Sequence, residues 1–413
     1  MKTLLNLDLI EGRKIIQSRQ QWSRSWTRGL MQLLYVNHAR ILGSAPYAAI
    51  DIMGQTRNID NQAQGDTFYK GNMLLTAPGG GAGLFVPSGS AITDSGSSYT
   101  KYPNYSPLHY LVGQSIGVVV GADGTAVTPT DFALTQRLFH GRNTSAVAGT
   151  TFDNISGADT SLLNAYSTTN LFALYFIPIR GFRLSSFTVL LGRSGSPGTC
   201  TATLCGIACA PGNLNYTIGP ELTGIASVNF NGNTLAVGSP WTALTINLPT
   251  PVDINPGFLY AIKFSAPAGN SSNYLIGRVF SLASPGHTRY GVATCADGGN
   301  NWSLSLTNQL IWSLTGSANP EVEYGACEIF NLAVANPNAS FSVRRLFTNN
   351  SGGLINVAEC GMYMAGTKYV NPSGNQNLGQ VYSFCVAHDV ISPAIALNNG
   401  QVLQVTYTPQ ITV

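Results

Sequence analysis

Charge is what this sequence has least of. Acidic and basic residues fill only 9% of its 413 positions, against roughly a quarter in ordinary soluble domains, so the polar surface must be built from hydroxyls and amides. Such a surface suits strands, turns and contacts with other protein copies or with sugars. A run of the ~18 apolar residues that cross a bilayer is also absent, which sets aside a membrane-spanning helix. The apolar stretch Leu4 to Ile10 is too short for a secretory signal and is broken by Asn6 and Asp8. Synthesis in a cytosol is therefore expected, where sequons such as Asn143-Thr-Ser would stay unmodified.

Catalytic and metal-binding patterns are missing as well. The 7 cysteines form no CxxC pair, and no histidine stands near Cys200, Cys205 and Cys209, so buried free thiols are expected and no metal or cofactor is assigned. The histidines are scattered, with none in an HExxH helix or beside a Gly-x-Ser-x-Gly elbow. His388-Asp389 would point to opposite faces of a strand. Glu321 and Glu323 share a face, as paired carboxylates must, but stand at a junction between segments. The glycine run after Pro78 lacks the Gly-Lys-Ser/Thr ending of a phosphate loop. No catalytic residue is assigned.

What is present is enough to bury: 44% hydrophobic and 10% aromatic residues over a length that allows two or three domains. The charge is uneven. Residues 1–40 carry Lys2, Arg13, Lys14, Arg19, Arg24, Arg28 and Arg40 against Asp8 and Glu11. A basic arm can bind phosphates, but Trp22 and Trp26 interleave this one and an apolar run follows it. Docking onto a neighbouring subunit through Trp22, Arg24, Trp26 and Arg28 is the favoured reading, a solvated helix face the second, and nucleic acid the least favoured.

Along the chain, Leu4–Ile10 and Lys14–Gln17 read as a hairpin turning at Glu11-Gly12, and residues 26–40 as a helix capped by Ser23 or Ser25. Short strands are expected at Ala48–Met53 and Asn72–Thr76, a buried strand at Ile116–Val120, and a short helical turn from Thr128 to Leu134. Phe341 to Phe347, a polar turn at Asn349–Gly353 and Leu354 to Val357 read as strand, turn and returning strand, with Arg344 or Arg345 pairing Glu359. Gln401–Thr408 is a last half-buried strand. Between these ends, strands at Phe172–Ile179, Leu184–Leu191, Cys200–Ala208, Trp241–Leu248 and Phe258–Phe264 with Gly, Pro and Asn punctuation predict a β-sandwich.

Two resemblances attach to these segments. GVVVGADGTAVTPTDFAL followed by His140-Gly141, together with EYGACEI, ASFSVRRLFTNNSGGLINVAECGMY and FCVAHDVISPAIALNNGQVLQVTYT, resembles a pattern of tailed-bacteriophage virion structural proteins; SRSWTRGLMQLLYV and AIDIMGQTRNI resemble the start of the same family. LLGRSGSPGTCTATL, NPGFLYAIKFSAPAGNSSNYLIGRV and TRYGVATCADGGNNWSLS resemble an inserted jelly-roll module, similar in layout to carbohydrate-binding modules. Asp297-Gly-Gly-Asn-Asn-Trp302 resembles a sialidase Asp-box, but one copy makes a structural turn and not a propeller.

The expectation is thus an all-β chain: an antiparallel β-sandwich frame with one N-terminal helix and an inserted jelly-roll β-sandwich. Its parts are a docking arm at 1–43, frame segments at 44–143 and 320–413, and the insert at 144–319. The resemblance implies a virion protein made in the host cytoplasm, a tail, fibre or adhesin-like component whose partners are other copies of itself and other virion proteins, with a capsid-associated decoration protein second and a polysaccharide-degrading enzyme a distant third. If the insert meets a host-surface glycan, rings stack on the sugar while amides, carboxylates and guanidinium bond its hydroxyls; Tyr274, Arg278, Tyr290, Asp297, Asn301 and Trp302 are the candidates.

Overall fold

A computed structural model describes residues 2–23, 26–38, 47–59, 115–142, 147–148, 152–153, 159–178, 181–209, 224–238, 241–281, 290–299, 302–305, 308–310, 312–318, 320–335, 338–370 and 378–412. The chain divides into two compact units, one made of 1–146 with 319–413 and the other of 147–318. It opens as β1 (Lys2–Glu11), β2 (Lys14–Ser23), α1 (Arg28–His38), β3 (Tyr47–Ile50), β4 (Thr56–Ile59), β5 (Gly117–Gly121) and β6 (Phe139–His140). The second unit holds β7 (Val147–Ala148), β8 (Phe152–Asp153), β9 (Asp159–Ala165), β10 (Ser167–Phe176), β11 (Phe182–Ser194), β12 (Thr199–Cys209), β13 (Gly224–Asn231), β14 (Thr242–Ile254), β15 (Phe258–Ala266), β16 (Tyr274–Ser281), β17 (Tyr290–Cys295), β18 (Ser303–Ser305), β19 (Asn308–Leu310) and β20 (Trp312–Ala318). The first unit resumes with β21 (Glu321–Ala335), β22 (Asn338–Thr348), β23 (Ile355–Val370), β24 (Leu378–Leu397) and β25 (Val402–Thr412). The fold is all-β and sandwich-type.

In the first unit, one sheet has the order β2-β1-β25-β22-β21-β6, antiparallel except for the short β21–β6 pair. Alternation sets its faces: Leu5, Leu7 and Leu9 of β1 and Leu403, Val405 and Tyr407 of β25 are buried on one side. Opposite them lie β5, β23 and β24, joined side by side. The sheets meet where the Cys360 thiol lies 3.1 Å from the Tyr407 hydroxyl and Arg345 donates to the Val118 carbonyl at 2.7 Å. Helix α1 packs on β24 through an apolar stripe of Leu30, Leu33 and Val36.

Several expectations change here. The β1–β2 hairpin is present, turning at Gly12 with φ +59, but β2 runs on to Ser23 and β1 lies between β2 and β25. Strands β1 and β2 and helix α1 therefore contribute to the frame and do not stand apart as an arm. Ser23 is not a helix cap: it ends β2 and donates to Asp389 at 2.8 Å. Residues 128–134 form a turn in which Asp131 N–H donates to the Thr128 carbonyl at 3.1 Å, with no helix. The strands flanking Asn349–Gly353 are not partners, since β22 pairs β21 and β25 whereas β23 pairs β24 and β5; the turn carries the chain from one sheet to the other. Arg344 accordingly pairs with Glu328 at 2.5 Å, across the β21–β22 ladder, while Glu359 faces elsewhere. Asn72–Thr76 and the glycine run after Pro78 lie outside the described residues.

The second unit contains the jelly roll. Strands β9 to β16 form two antiparallel four-strand sets, β9-β16-β11-β14 and β10-β15-β12-β13, the order of a double Greek key. Strand β17 extends the second set beside β10, and β20 pairs the part of β11 that β16 leaves open. The two faces close on aromatic residues: Phe187 of β11 meets Phe264 of β15 edge-on at 6.4 Å, and Phe172 stacks on Phe264 at 5.1 Å. All five strands expected in this region are present, with slightly different bounds. The thiols of Cys200 and Cys205 are both buried, and neither forms a disulfide.

Candidate binding face and assembly surfaces

Strand β16 carries two of the residues expected to meet a sugar. Leu275 is buried in the sandwich, so alternation turns Tyr274, Ile276 and Arg278 to the outer face. The Tyr274 ring lies 6.3 Å from that of Tyr166, and the Arg278 guanidinium lies 5.9 Å from the ring centre of Trp241. Trp241 in turn covers Gly192, the residue opposite Ile276 in the ladder. A Cβ at 192 would stand 2.7 Å from the indole, closer than packed carbons approach. Tyr166, Tyr274, Trp241 and Arg278 are all half-buried, giving an outer sheet face with three partly open rings and one cation. Stacking on a sugar ring while donating to its hydroxyls is chemistry this set can perform.

The other expected residues do not join them. Tyr290 opens β17, in the other sheet, opposite Phe176; its side chain lies outside the described residues, as does the whole of Asn301. Asp297 is exposed in a turn, accepting from the Cys295 thiol at 2.9 Å. Trp302 is only 2% exposed, its indole N–H donating to the Gly299 carbonyl at 3.1 Å beneath that turn, so it cannot offer a face to a sugar. The sequence reading missed Trp241 and Tyr166. The signal for Trp241 was its place at the head of an expected strand; its glycine floor, in LLGRSG, could be matched to it only once the strands were paired.

On the first unit, the four expected docking residues separate. Trp22 is exposed on the edge strand β2. Arg24 lies outside the described residues. Trp26 bridges to Ala387 of β24, and the Arg28 N–H donates to the Pro129 carbonyl at 2.9 Å; both are half-buried against their own frame and serve the seating of α1. Exposed apolar side chains gather on two strands instead: Ile15 (60%), Ile16 and Trp22 on β2, and Ile329, Leu332 (79%) and Val334 on β21.

His388 and Asp389 do face opposite ways. Asp389 accepts from Ser23 and from the Tyr407 hydroxyl, at 2.8 and 3.0 Å, between the frame's sheets. On the other face, His388 Nδ1 lies 2.9 Å from Asp131 and Nε2 2.8 Å from Glu359. Glu359 also accepts the N–H groups of Thr135 and Gln136 at 3.0 and 2.7 Å, and the Leu134 N–H donates to the Tyr363 hydroxyl at 2.8 Å. The 128–136 segment is thereby fastened to β23 and β24. With both ring nitrogens engaged, His388 has none left for a substrate proton. Burial pushes the nearby Cys360 and Cys385 thiols well above their ordinary value and that of Cys200 up to about 11, so these thiols are protonated and unreactive. Of the junction carboxylates, Glu321 is buried, whereas Glu323 pairs with Arg142 and Asn350.

Among the described residues no cluster of His, Cys, Asp and Glu is placed to hold a metal ion, and no helix is long and apolar enough to cross a membrane. No protein-family model matches the chain, and a search of curated proteins finds none similar to it.

Proposed function

We propose that this chain is a non-enzymatic structural protein of a bacteriophage virion, a tail, fibre or adhesin-like appendage component whose frame joins other copies and other virion proteins. One observation carries the reading: the frame exposes large apolar side chains along two strands at the ends of its six-stranded sheet, surface that gains by being covered by a partner. The segments that resemble virion proteins make up the same frame, including β5, β23, β24 and the strap fastened by His388. The jelly roll supplies recognition: Tyr166, Tyr274, Trp241 and Arg278 are the residues to meet a host-surface glycan.

A capsid-associated decoration protein is the second reading. It is favoured by the outer face of the six-stranded sheet, where Gln404 and Ser18 bond Asp8 at 3.1 and 2.6 Å, a polar face suited to lying on a shell. Antibody against the chain separates the two on whole particles. Label confined to the tail supports the appendage, whereas label spread over the shell refutes it in favour of decoration. Glycan-array binding by the full chain that falls at least about tenfold in Trp241→Ala supports the recognition face; release of reducing sugar from surface polysaccharide would instead make the protein an enzyme.

A further inference from the structure

We infer that the segment 128–136 is a latch whose outer end, 128–131, is fastened to β24 by the doubly protonated ring of His388, and that this end lets go before the inner end, 134–136. The ring lies between two carboxylates, with Asp131 2.9 Å from Nδ1 and Glu359 2.8 Å from Nε2. An ionised carboxylate only accepts, so both contacts are hydrogen bonds only when both ring nitrogens donate. A neutral imidazole has a single N–H. On losing its second proton the ring must face one of the two carboxylates with a lone pair, and that contact becomes repulsive.

The two ends differ in what else holds them. Glu359 is buried and also accepts the N–H groups of Thr135 and Gln136, while the Leu134 N–H is held by Tyr363. The last ring proton therefore stays with Glu359, because a buried charge stripped of its donor costs more than one that water can reach. Asp131 is 23% exposed and turns to water. Its bonds from the Thr128 N–H and hydroxyl, at 3.0 and 2.5 Å, lie within the same end and move with it. That end also touches α1: the Pro129 carbonyl accepts the Arg28 N–H at 2.9 Å, in the first turn, where a helix has no acceptors of its own. Loss of the proton at His388 is thereby passed to the seating of α1. The other groups around the ring do not reverse this. Asp123 adds negative charge, burial keeps the Cys385 thiol and the Tyr363 hydroxyl protonated, and Arg137 lies over the Tyr363 ring at 5.5 Å. Asp389 turns to the opposite face. On the latch itself, Phe132 lies against Gly54, in a hairpin whose Asp51 and Arg57 pair with each other at 2.7 Å.

Hydrogen exchange of the full chain tests this, read by mass spectrometry from about pH 5 to 9 and corrected for the intrinsic rate at each pH. Peptides over 128–131 and the start of α1 should lose protection by up to about tenfold per pH unit between the ordinary histidine value and the raised value of the closed latch, then level off. A peptide over 134–136 should keep its protection throughout. In Asp131→Asn the amide accepts from the charged ring or donates to the neutral one, so the outer end should stay closed with a flat profile. His388→Gln, neutral at every pH, should leave the outer end open throughout; if that chain does not fold, Asp131→Asn decides alone. A flat wild-type profile, a slope kept in Asp131→Asn, a folded His388→Gln chain as protected as wild type, or loss of protection at 134–136 together with 128–131 overturns the inference.

Discussion

Burial alone would lower the proton affinity of His388, but the hydrogen bond and charge of Glu359, then those of Asp131, raise it above the ordinary histidine value. The histidine's share of stability is therefore complete below about pH 6.5 and is lost as pH rises through its raised folded-state value. Asp131 behaves oppositely: burial would raise it, yet its bonds from Thr128 and His388 lower it, so its share is lost as the solution becomes strongly acidic. Urea unfolding across pH should show the histidine's decline in the wild type and a flatter profile in Glu359→Gln. That substitution should cost roughly 3–5 kcal/mol, because it leaves a charged ring buried with half its partners. Gly192 supports a second prediction at this scale. Gly192→Val should force the indole of Trp241 off the sheet, seen as red-shifted tryptophan emission, at a cost of about 1–3 kcal/mol, with glycan binding lost if Trp241 is a platform.

Elements whose signals are local were legible in the sequence. The β1–β2 hairpin announced itself by alternation broken at Glu11-Gly12, and the five central strands of the jelly roll by apolar runs between Gly, Pro and Asn. What failed was pairing. Asn349–Gly353 has turn chemistry, and turn chemistry says that the chain reverses without saying which sheet receives it; β22 and β23 consequently looked like a hairpin, and Arg344 was matched to the wrong carboxylate. Trp302 belonged both to the Asp-box-like turn and to the sugar-stacking candidates, and it is sealed under that turn; Trp241 stood only at the head of an expected strand, yet it lies half-buried on an outer face. The jelly roll should depend on the ring packing between its sheets. Phe264→Ala should lower stability by about 3–5 kcal/mol, measured by denaturant unfolding, while an exposed change such as Leu332→Ala should cost under about 0.5 kcal/mol.

For the whole molecule, the sequence split that separates the two ends of the chain from a jelly-roll insert has a physical counterpart in two compact units, the first built from both ends of the chain. The frame accounts for its odd chemistry: charge is scarce, thiols are buried, and the acidic and histidine side chains that could have suggested catalysis fasten strands and straps. The central claim is that the molecule's work is assembly and recognition within a virion. Mass spectrometry of particles purified by density gradient tests it most directly. The account predicts this chain among the particle proteins in a fixed, multiple copy number that survives high-salt washing; its absence from washed particles, with the protein left in the cell lysate, would contradict it.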